Sequence, residues 1–96
     1  MLPTKEELAL AVDEAEWGWL RAHLERGGLI VVAPELDLVD TGSKVAGNDA
    51  AAVGGWIASG KLGKPSQEQL AAWNEERGKR FATLIISPFV LIQEKL

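Results

Sequence analysis

Residues 81–92 read FATLIISPFVLI, and this stretch decides the fold. The apolar runs 81–86 and 89–92 place isoleucine, leucine and valine at adjacent as well as alternate positions. Runs of this length and composition are typical of strands in a sheet that is covered on both faces. Proline does not fit the usual two-residue hairpin turn, so Ser87-Pro88 predicts either a cis-proline turn or a kink. We favour one long, kinked strand.

Two more strands flank this stretch in the predicted sheet. Residues 29–32 read LIVV, and Pro34 ends the run because proline cannot donate to a sheet ladder. Residues 61–64 are compatible with a short edge strand. Three or four strands are therefore expected.

One long helix is predicted at the start of the chain. Thr4 and Glu7 fit a capping box, and Gly27 and Gly28 provide a stop, which gives a helix of about six turns. Apolar residues recur at three- and four-residue spacing along its core face: Leu8, Val12, Ala15, Trp19 and Ala22.

A second apolar strip runs along the opposite side of this helix. Its members are Leu10, Trp17, Leu20 and Leu24. Two apolar sides on one helix require either packing on both sides or contact with another subunit, because exposed apolar patches are uncommon on monomers. We expect this strip to form the interface of a homodimer.

Further helices are predicted in the middle of the chain. Residues 35–47 are ambiguous, since their spacing suits a helix opened by Pro34 while the alternation in residues 36–38 suits a strand; we favour the helix. Asn48 can cap a short helix that ends at Gly60.

A capping box starts the last predicted helix at Ser66 and Gln69. Leu70 and Trp73 are expected to point inward, and Gly78 is the expected end.

The composition fits one soluble α+β domain over residues 1–96. The chain is 47% apolar and 25% charged, as in ordinary globular proteins. We expect a small antiparallel or mixed sheet of three to four strands, covered by about three to four helices. No cysteine is present, which excludes disulfides and thiolate chemistry and agrees with a reducing compartment. Since the start lacks a secretory signal and no stretch resembles a membrane helix, a cytoplasmic location is expected.

Four polar residues are candidates for chemistry. His23 is the one side chain whose ordinary pKa lies near neutrality, and Asp37, Asp40 and Asp49 form an acidic cluster that could bind a metal or a small ligand. The alternative interpretation is a histidine on a helix face and aspartates that cap helices or contact solvent. No cofactor motif is present, and we expect no cofactor.

A nucleic-acid interpretation depends on residues 53–62, which look loosely like the recognition helix and wing of excisionase-type helix-turn-helix proteins. Five basic side chains are candidates for phosphate contacts: Lys61, Lys64, Arg77, Lys79 and Arg80. The net charge of −4 disfavours this interpretation. Residues 53–57 also lack a side chain that reads base edges.

The chain resembles a bacterial family catalogued as domain of unknown function 2288. The matching pieces are Leu36-Asp37-Leu38-Val39, Asp49 with Val53 and Trp56-Ile57, Pro65-Ser66 with Gln69 and Trp73, and Pro88-Phe89-Val90-Leu91-Ile92-Gln93. The family usually has tryptophan at position 89 and a more apolar helix at 41–43. The resemblance implies a small cytoplasmic bacterial protein, with no activity to carry over. Within the pattern, Asp37, Asp49 and Gln93 are polar positions of interest.

These features favour a non-enzymatic protein-interaction or accessory module that self-associates. Its protein partner, beyond a second copy of itself, is not identified by the sequence.

Overall fold

The computed structural model of the chain describes residues 4–76, 78–86 and 89–94. These residues form five helices and one mixed sheet of five strands, so the α+β class is confirmed and the counts exceed the expected three to four of each. The elements in chain order are α1 (Lys5–Ala11), β1 (Asp13–Glu16), α2 (Trp17–Glu25), β2 (Leu29–Val32), α3 (Leu38–Ala46), α4 (Ala50–Ala58), β3 (Leu62–Gly63), α5 (Gln67–Glu75), β4 (Arg80–Ile86) and β5 (Phe89–Glu94). Within these ranges no helix is long and apolar enough to cross a bilayer.

The strand order across the sheet is β1-β4-β5-β2-β3, with β5 at the centre. β4 and β5 pair antiparallel with Ile86 opposite Phe89, so the predicted kinked strand is wrong and the two runs form a hairpin. Two long apolar runs bury their backbone groups better by pairing with each other than by continuing as one strand. Ser87 and Pro88, whose peptide isomer the prediction left open, lie outside the described residues. β2 pairs with β5 in parallel, and the edge strand predicted at 61–64 is confirmed as β3.

Both faces of the sheet are covered, as the apolar runs require. α2 and α5 pack on one face, where the core residues are Trp17, Leu20, Leu29, Trp73, Phe81, Val90 and Ile92. α1, α3 and α4 pack on the other face, around Leu8, Val32, Leu38, Leu62, Leu84 and Leu91. The successive residues of β4 and β5 alternate between these two cores, so each strand contributes to both.

The single long helix predicted between Thr4 and Gly27 is wrong. α1 ends at Ala11, and residues 13–16 form an edge strand in register with β4, from Asp13 opposite Thr83 to Glu16 opposite Arg80. The Thr83 hydroxyl also donates to the Asp13 carbonyl oxygen at 2.8 Å. This long-range pairing overrides a local helical preference that is worth only a few tenths of a kcal/mol per residue.

The strand break changes which side of α2 faces the core. Successive residues turn by 180° in a strand and by 100° in a helix, so the helical spacing of residues 5–11 does not carry over to residues 17–25. Trp17 and Leu20 are therefore buried, whereas Trp19 and Ala22, which were predicted to face the core, are exposed.

Several of the predicted helix ends are confirmed. The Thr4 hydroxyl accepts from the Glu7 N–H at 3.1 Å, and Gly27 ends α2 with a φ of 76°. At α5 the capping box is complete, with the Ser66 hydroxyl accepting from the Gln69 N–H at 3.1 Å and the Gln69 side chain accepting from the Ser66 N–H at 2.9 Å. This last helix ends at Glu75, before the predicted stop at Gly78, because residues 78–79 already lead into β4.

The segment 35–47 contains a helix, as favoured, but it starts at Leu38 after an Asp37 cap and not at Pro34. Likewise α4 is capped by Asp49 and not by Asn48, which takes a positive φ of 58° in the link between α3 and α4. An aspartate accepts from the backbone N–H three residues on as readily as asparagine does, so the sequence did not distinguish the two caps.

α3 crosses β4 at very close range because of Gly42. A Cβ at this position would overlap the side chain of Leu84 and lie 3.6 Å from Ile86 Cδ1. The neighbouring Thr41 is buried, and its hydroxyl donates to the Asp37 carbonyl oxygen at 2.8 Å. Residues 41–43 are therefore small because the helix lies directly against the sheet.

Candidate interaction surface

The strip predicted as a dimer interface does not exist as a surface. Trp17 and Leu20 are fully buried within a single chain, where Trp17 packs against Trp73 at a ring-centroid distance of 5.0 Å and Leu24 packs partly against the same core. Leu10 is 88% exposed, but it lies on α1, apart from the other three. The prediction of this strip assumed one continuous helix, but the strand at residues 13–16 divides that segment into two separate helices.

The three aspartates of the predicted acidic cluster each have a separate structural role. Asp37 caps α3 by accepting from the Asp40 N–H at 2.9 Å, and Asp49 caps α4 by accepting from the Ala52 N–H at 3.1 Å. Asp40 forms an ion pair with Lys5 at 2.8 Å. Across the described ranges, no group of three or more histidine, cysteine, aspartate or glutamate side chains is arranged to hold a metal ion.

The Lys5–Asp40 pair ties α1 to the first turn of α3. The hydrogen bond to Lys5 and, to a lesser extent, its charge lower the pKa of the Asp40 carboxyl below its ordinary value of 3.8. The same hydrogen bond and the Asp40 charge raise the pKa of Lys5 above 10.5. Both groups are solvent-exposed, so this is a surface contact between two helices and not a perturbed catalytic pair.

His23 lies on α2, where its ring meets the ring of Trp19 edge-on with centroids 5.0 Å apart. This helix covers the sheet face opposite to the one on which α3 and α4 pack. The structure therefore does not bring His23 together with the aspartates, which was the premise of the ligand-binding alternative.

The candidate phosphate-binding residues lie near opposite edges of the sheet. Lys61 and Lys64 flank the edge strand β3 and are exposed. Arg80 lies beside the other edge, where it pairs with Glu14 at 3.1 Å and Glu16 at 3.9 Å across β1 and β4. Lys79 precedes β4 and is half-buried.

Arg77, the fifth of these candidates, lies outside the described residues. α4, which was compared with a recognition helix, reads AAAVGGWIA and has no side chain that reads a base edge.

Gln93 holds the loop that leads from β2 to α3. Its Nε2 donates to the carbonyl oxygens of Ala33 at 2.9 Å and Leu36 at 2.6 Å. Since Asp37 and Asp49 cap helices, Asp37, Asp49 and Gln93 all stabilise the backbone.

An apolar belt surrounds the hairpin end of the sheet. Among the residues that the structure describes, it contains four of the five exposed large hydrophobic side chains, Trp19, Ile57, Ile85 and Phe89, whose exposures are 57%, 57%, 59% and 39%. These four line three adjoining concavities, and Leu10, the fifth, lines none of them. We call this surface the apolar belt.

The three concavities of the belt share residues and so form one surface. The first lies between Trp19 and Ile85, and it shares Ile85 and Ala11 with the second. The second shares Val45 and Phe89 with the third. The third is a hollow of about 170 Å³ with an entirely apolar lining: Ile30, Val45, Val53, Ile57, Leu62, Gly63, Phe89 and Leu91.

α4 is the most unusual part of this surface. None of its nine residues has a polar side chain, yet none of them is buried. A helix that is apolar on all sides is normally enclosed by other elements. This signal was present in the sequence and could have indicated the surface, but the extent to which α4 is covered depends on where its neighbours end.

The comparisons with known proteins identify the family. The family model described as protein of unknown function DUF2288 matches residues 3–94. The NMR solution structure of PA1075 from Pseudomonas aeruginosa is similar, with a TM-score of 0.81 and 29% sequence identity over 93% of this chain and 82% of that one. No curated protein matches the chain. The resemblance is confirmed: the chain belongs to the DUF2288 family, which has no assigned function.

Proposed function

We propose that this chain is a non-enzymatic protein-interaction module that self-associates through the apolar belt, as an accessory protein in the bacterial cytoplasm. The observation that carries the proposal is α4, nine residues without a polar side chain and without a buried one. The absence of cysteine agrees with a reducing compartment, and the similar protein from Pseudomonas aeruginosa supports a bacterial origin.

The energetics of the belt favour a covered state. Apolar surface that leaves water contributes about 25 cal/mol per Å². A standard interface takes about 800 Å² from each partner, which is roughly one eighth of the 6037 Å² surface of this chain. A surface that extends from Trp19 through Phe89 to Ile57 crosses the hairpin end of the sheet and supplies the apolar centre of such an interface.

We propose that a second copy of the chain covers the belt, because a domain of this size can be stabilised by oligomerisation. A 96-residue domain without disulfides buries a limited share of its own surface, and oligomerisation is a common remedy. The sheet edges are poor alternatives for self-association. β1 carries three carboxylates, Asp13, Glu14 and Glu16, which the single charge of Arg80 does not balance, so two such edges would repel, and β3 has only two residues.

The polar residues support a non-catalytic role. The three aspartates cap helices or pair with Lys5, and His23 packs against Trp19 on the other side of the sheet. General acid–base chemistry needs such groups within reach of one another and of a substrate.

Sedimentation velocity over a range of concentrations tests the proposal. We expect the wild-type chain to dimerise, and Phe89→Asp or Ile57→Asp to raise the dissociation constant at least about 100-fold, since a two-fold interface contains each substitution twice. Leu10→Asp is the matched control, because it adds the same charge at an exposed leucine outside the belt. Its association should equal that of the wild type.

Circular dichroism and thermal unfolding of each variant show whether it is folded. Ile57 is more exposed than Phe89, so Ile57→Asp remains informative if Phe89→Asp unfolds. A wild type that stays monomeric at millimolar concentration, or folded belt variants that dimerise as well as Leu10→Asp, would refute the proposal.

A further inference from the structure

A crevice lies at the carboxyl ends of the two parallel strands. β2 ends at Val32 and β5 ends at Glu94, and both residues line a concavity of about 410 Å³. None of the four exposed side chains that define the apolar belt lines it. In open α/β sheets, ligands bind outside the carboxyl ends of parallel strands, and small-molecule sites typically measure about 300–1,000 Å³. The crevice therefore has the position and the size of a ligand site.

Two lysines give this crevice its charge. Lys61 and Lys64 flank β3 and line the crevice, and neither forms an ion pair with another residue in the part of the chain that the structure describes. Residues 50–67 contain no acidic side chain, although the chain has 14 acidic residues in 96. The segment around β3 is therefore a basic part of an acidic chain.

The polar groups that share the crevice leave these two charges available. Glu94 is the one carboxylate among the described lining residues; its Oε1 accepts from Trp73 Nε1 at 3.2 Å, and it forms no ion pair with either lysine. Gln69 also lines the crevice, and its side-chain oxygen accepts from the Ser66 N–H at 2.9 Å, so its amide nitrogen keeps its donor capacity. Two cations and an amide donor against one carboxylate favour an anionic ligand.

The rest of the lining is apolar or glycine. Val32, Pro34 and Leu62 contribute apolar surface. Gly63 lies in β3 without a positive φ, and a Cβ added there would meet nothing within 4 Å, so no described neighbour requires a glycine at this position. Glycine inside a strand often marks a place where a ligand approaches the backbone closely. The crevice thus combines two cations with an apolar floor.

A phosphoryl group has the charge that two lysines require. A phosphate monoester carries nearly two negative charges at neutral pH and three acceptor oxygens. Lysine binds phosphate as a compact point charge. A nucleic-acid backbone would need a longer basic surface, and Arg80 lies beside the opposite edge of the sheet, paired with Glu14. One phosphoryl group on a small organic molecule fits the crevice better.

We infer that this crevice binds a small phosphate monoester, with the phosphoryl group at Lys61 and Lys64 and the organic part against Val32, Pro34 and Leu62. This site lies outside the apolar belt, so the inference does not depend on the proposed self-association.

NMR titration of the ¹⁵N-labelled chain tests the inference with two probes, inorganic phosphate and phenyl phosphate. Sodium chloride keeps the ionic strength constant, so that simple screening does not change during the titration. We expect saturable shifts of the amide signals of residues 60–64 with both probes. Phenyl phosphate should bind more tightly than inorganic phosphate, because its ring leaves water on the apolar floor.

Charge variants locate the binding site. Lys61→Gln and Lys64→Gln should each weaken the binding of phenyl phosphate about tenfold, since each removes one charge-assisted contact. Lys44→Gln is the matched control, because it removes the same charge from α3, outside the crevice, and should leave the affinity unchanged. Glu94→Gln keeps an acceptor for Trp73 and removes the like charge, so it should tighten binding about two- to fivefold.

Several outcomes would overturn the inference. Shifts that do not saturate, or Lys61→Gln and Lys64→Gln variants that bind as tightly as Lys44→Gln, would mean that the lysines only protect the edge strand from pairing. Equal affinity for the two probes would contradict the contact assigned to the organic part. Sedimentation of the same samples is read separately: a monomeric chain that binds phenyl phosphate would refute the proposed self-association and leave this site intact.

Discussion

The rings of Trp17 and Trp73 lie with their centroids 5.0 Å apart and join α2 to α5 over one face of the sheet. Each indole N–H has an acceptor: Trp17 Nε1 donates to Asn74 Oδ1 at 3.0 Å, and Trp73 Nε1 donates to Glu94 Oε1 at 3.2 Å. Phe81 of β4 completes the group, with its centroid 4.9 Å from that of Trp73. Trp17, which was predicted from the sequence to lie in a dimer interface, is thus a central core residue.

Trp17→Ala is expected to lower the free energy of unfolding by about 3–5 kcal/mol, because it leaves a cavity beside two aromatic rings and an Asn74 oxygen without its donor. Urea denaturation measures the loss. Trp19→Ala, two residues along the same helix at an exposed position, is the control, and at concentrations where the chain is monomeric it should cost less than about 1 kcal/mol. Equal losses at the two positions would contradict the assignment of Trp17 to the core.

Gly42→Ala is expected to destabilise the chain by about 1–3 kcal/mol, because the added methyl group overlaps Leu84 and pushes α3 away from β4. Gly54→Ala is the matched control within α4, where an added Cβ meets nothing within 4 Å. That change should stabilise the helix by up to about 1 kcal/mol. Thermal unfolding of the two variants beside the wild type should therefore shift in opposite directions.

The Lys5–Asp40 pair predicts a pH-dependent contribution to stability. Because the pKa of Asp40 is lower in the folded than in the unfolded chain, the contribution is present above 3.8 and is lost as the pH falls through the folded value. Because the pKa of Lys5 is raised in the folded chain, the stabilising contribution of the pair is also lost at alkaline pH, as the pH rises above 10.5.

Lys5→Met removes the pair and leaves Asp40 in place at the start of α3. Urea midpoints of wild type and variant should differ near neutral pH and converge as the pH falls through the folded pKa of Asp40, which lies below 3.8. A difference that persists unchanged to pH 2 would show that the effect of Lys5 is not electrostatic.

Gln93→Glu is expected to destabilise the fold more than Gln93→Met does. Gln93→Met removes two hydrogen bonds, at about 1 kcal/mol each, whereas Gln93→Glu also places a carboxylate against the carbonyl oxygens of Ala33 and Leu36. Urea denaturation at neutral pH ranks the two variants. The reverse ranking would mean that the side chain does not hold this loop as described.

The sequence predicted the elements whose signals are local. The runs at 29–32, 81–86 and 89–92 form strands, and the Ser66 capping box starts a helix, because short-range composition and backbone capping determine both. The resemblance to the family was also carried by such short pieces.

The incorrect predictions for residues 4–26 arose because long-range strand pairing cannot be read from the local sequence. Asp13 pairs with Thr83, seventy residues further along the chain, and no local pattern in residues 12–16 indicates a strand there. Because this strand was not predicted, the core-facing and exposed sides of α2 were assigned the wrong way round, and the buried Trp17 was included in the predicted interface strip. Similarly, Ile57 and Phe89 became candidate interface residues only once the structure showed which parts of α4 and of the hairpin end remain uncovered.

The most direct test of self-association through the belt is amide hydrogen exchange of the wild-type chain at high and low concentration, read by mass spectrometry. Because α4 is only partly covered within one chain, we predict that peptides from residues 50–58 exchange much faster on dilution, while α5 at residues 67–75 changes little. Exchange in residues 50–58 that is independent of concentration, in samples where sedimentation shows dimers dissociating, would contradict the account.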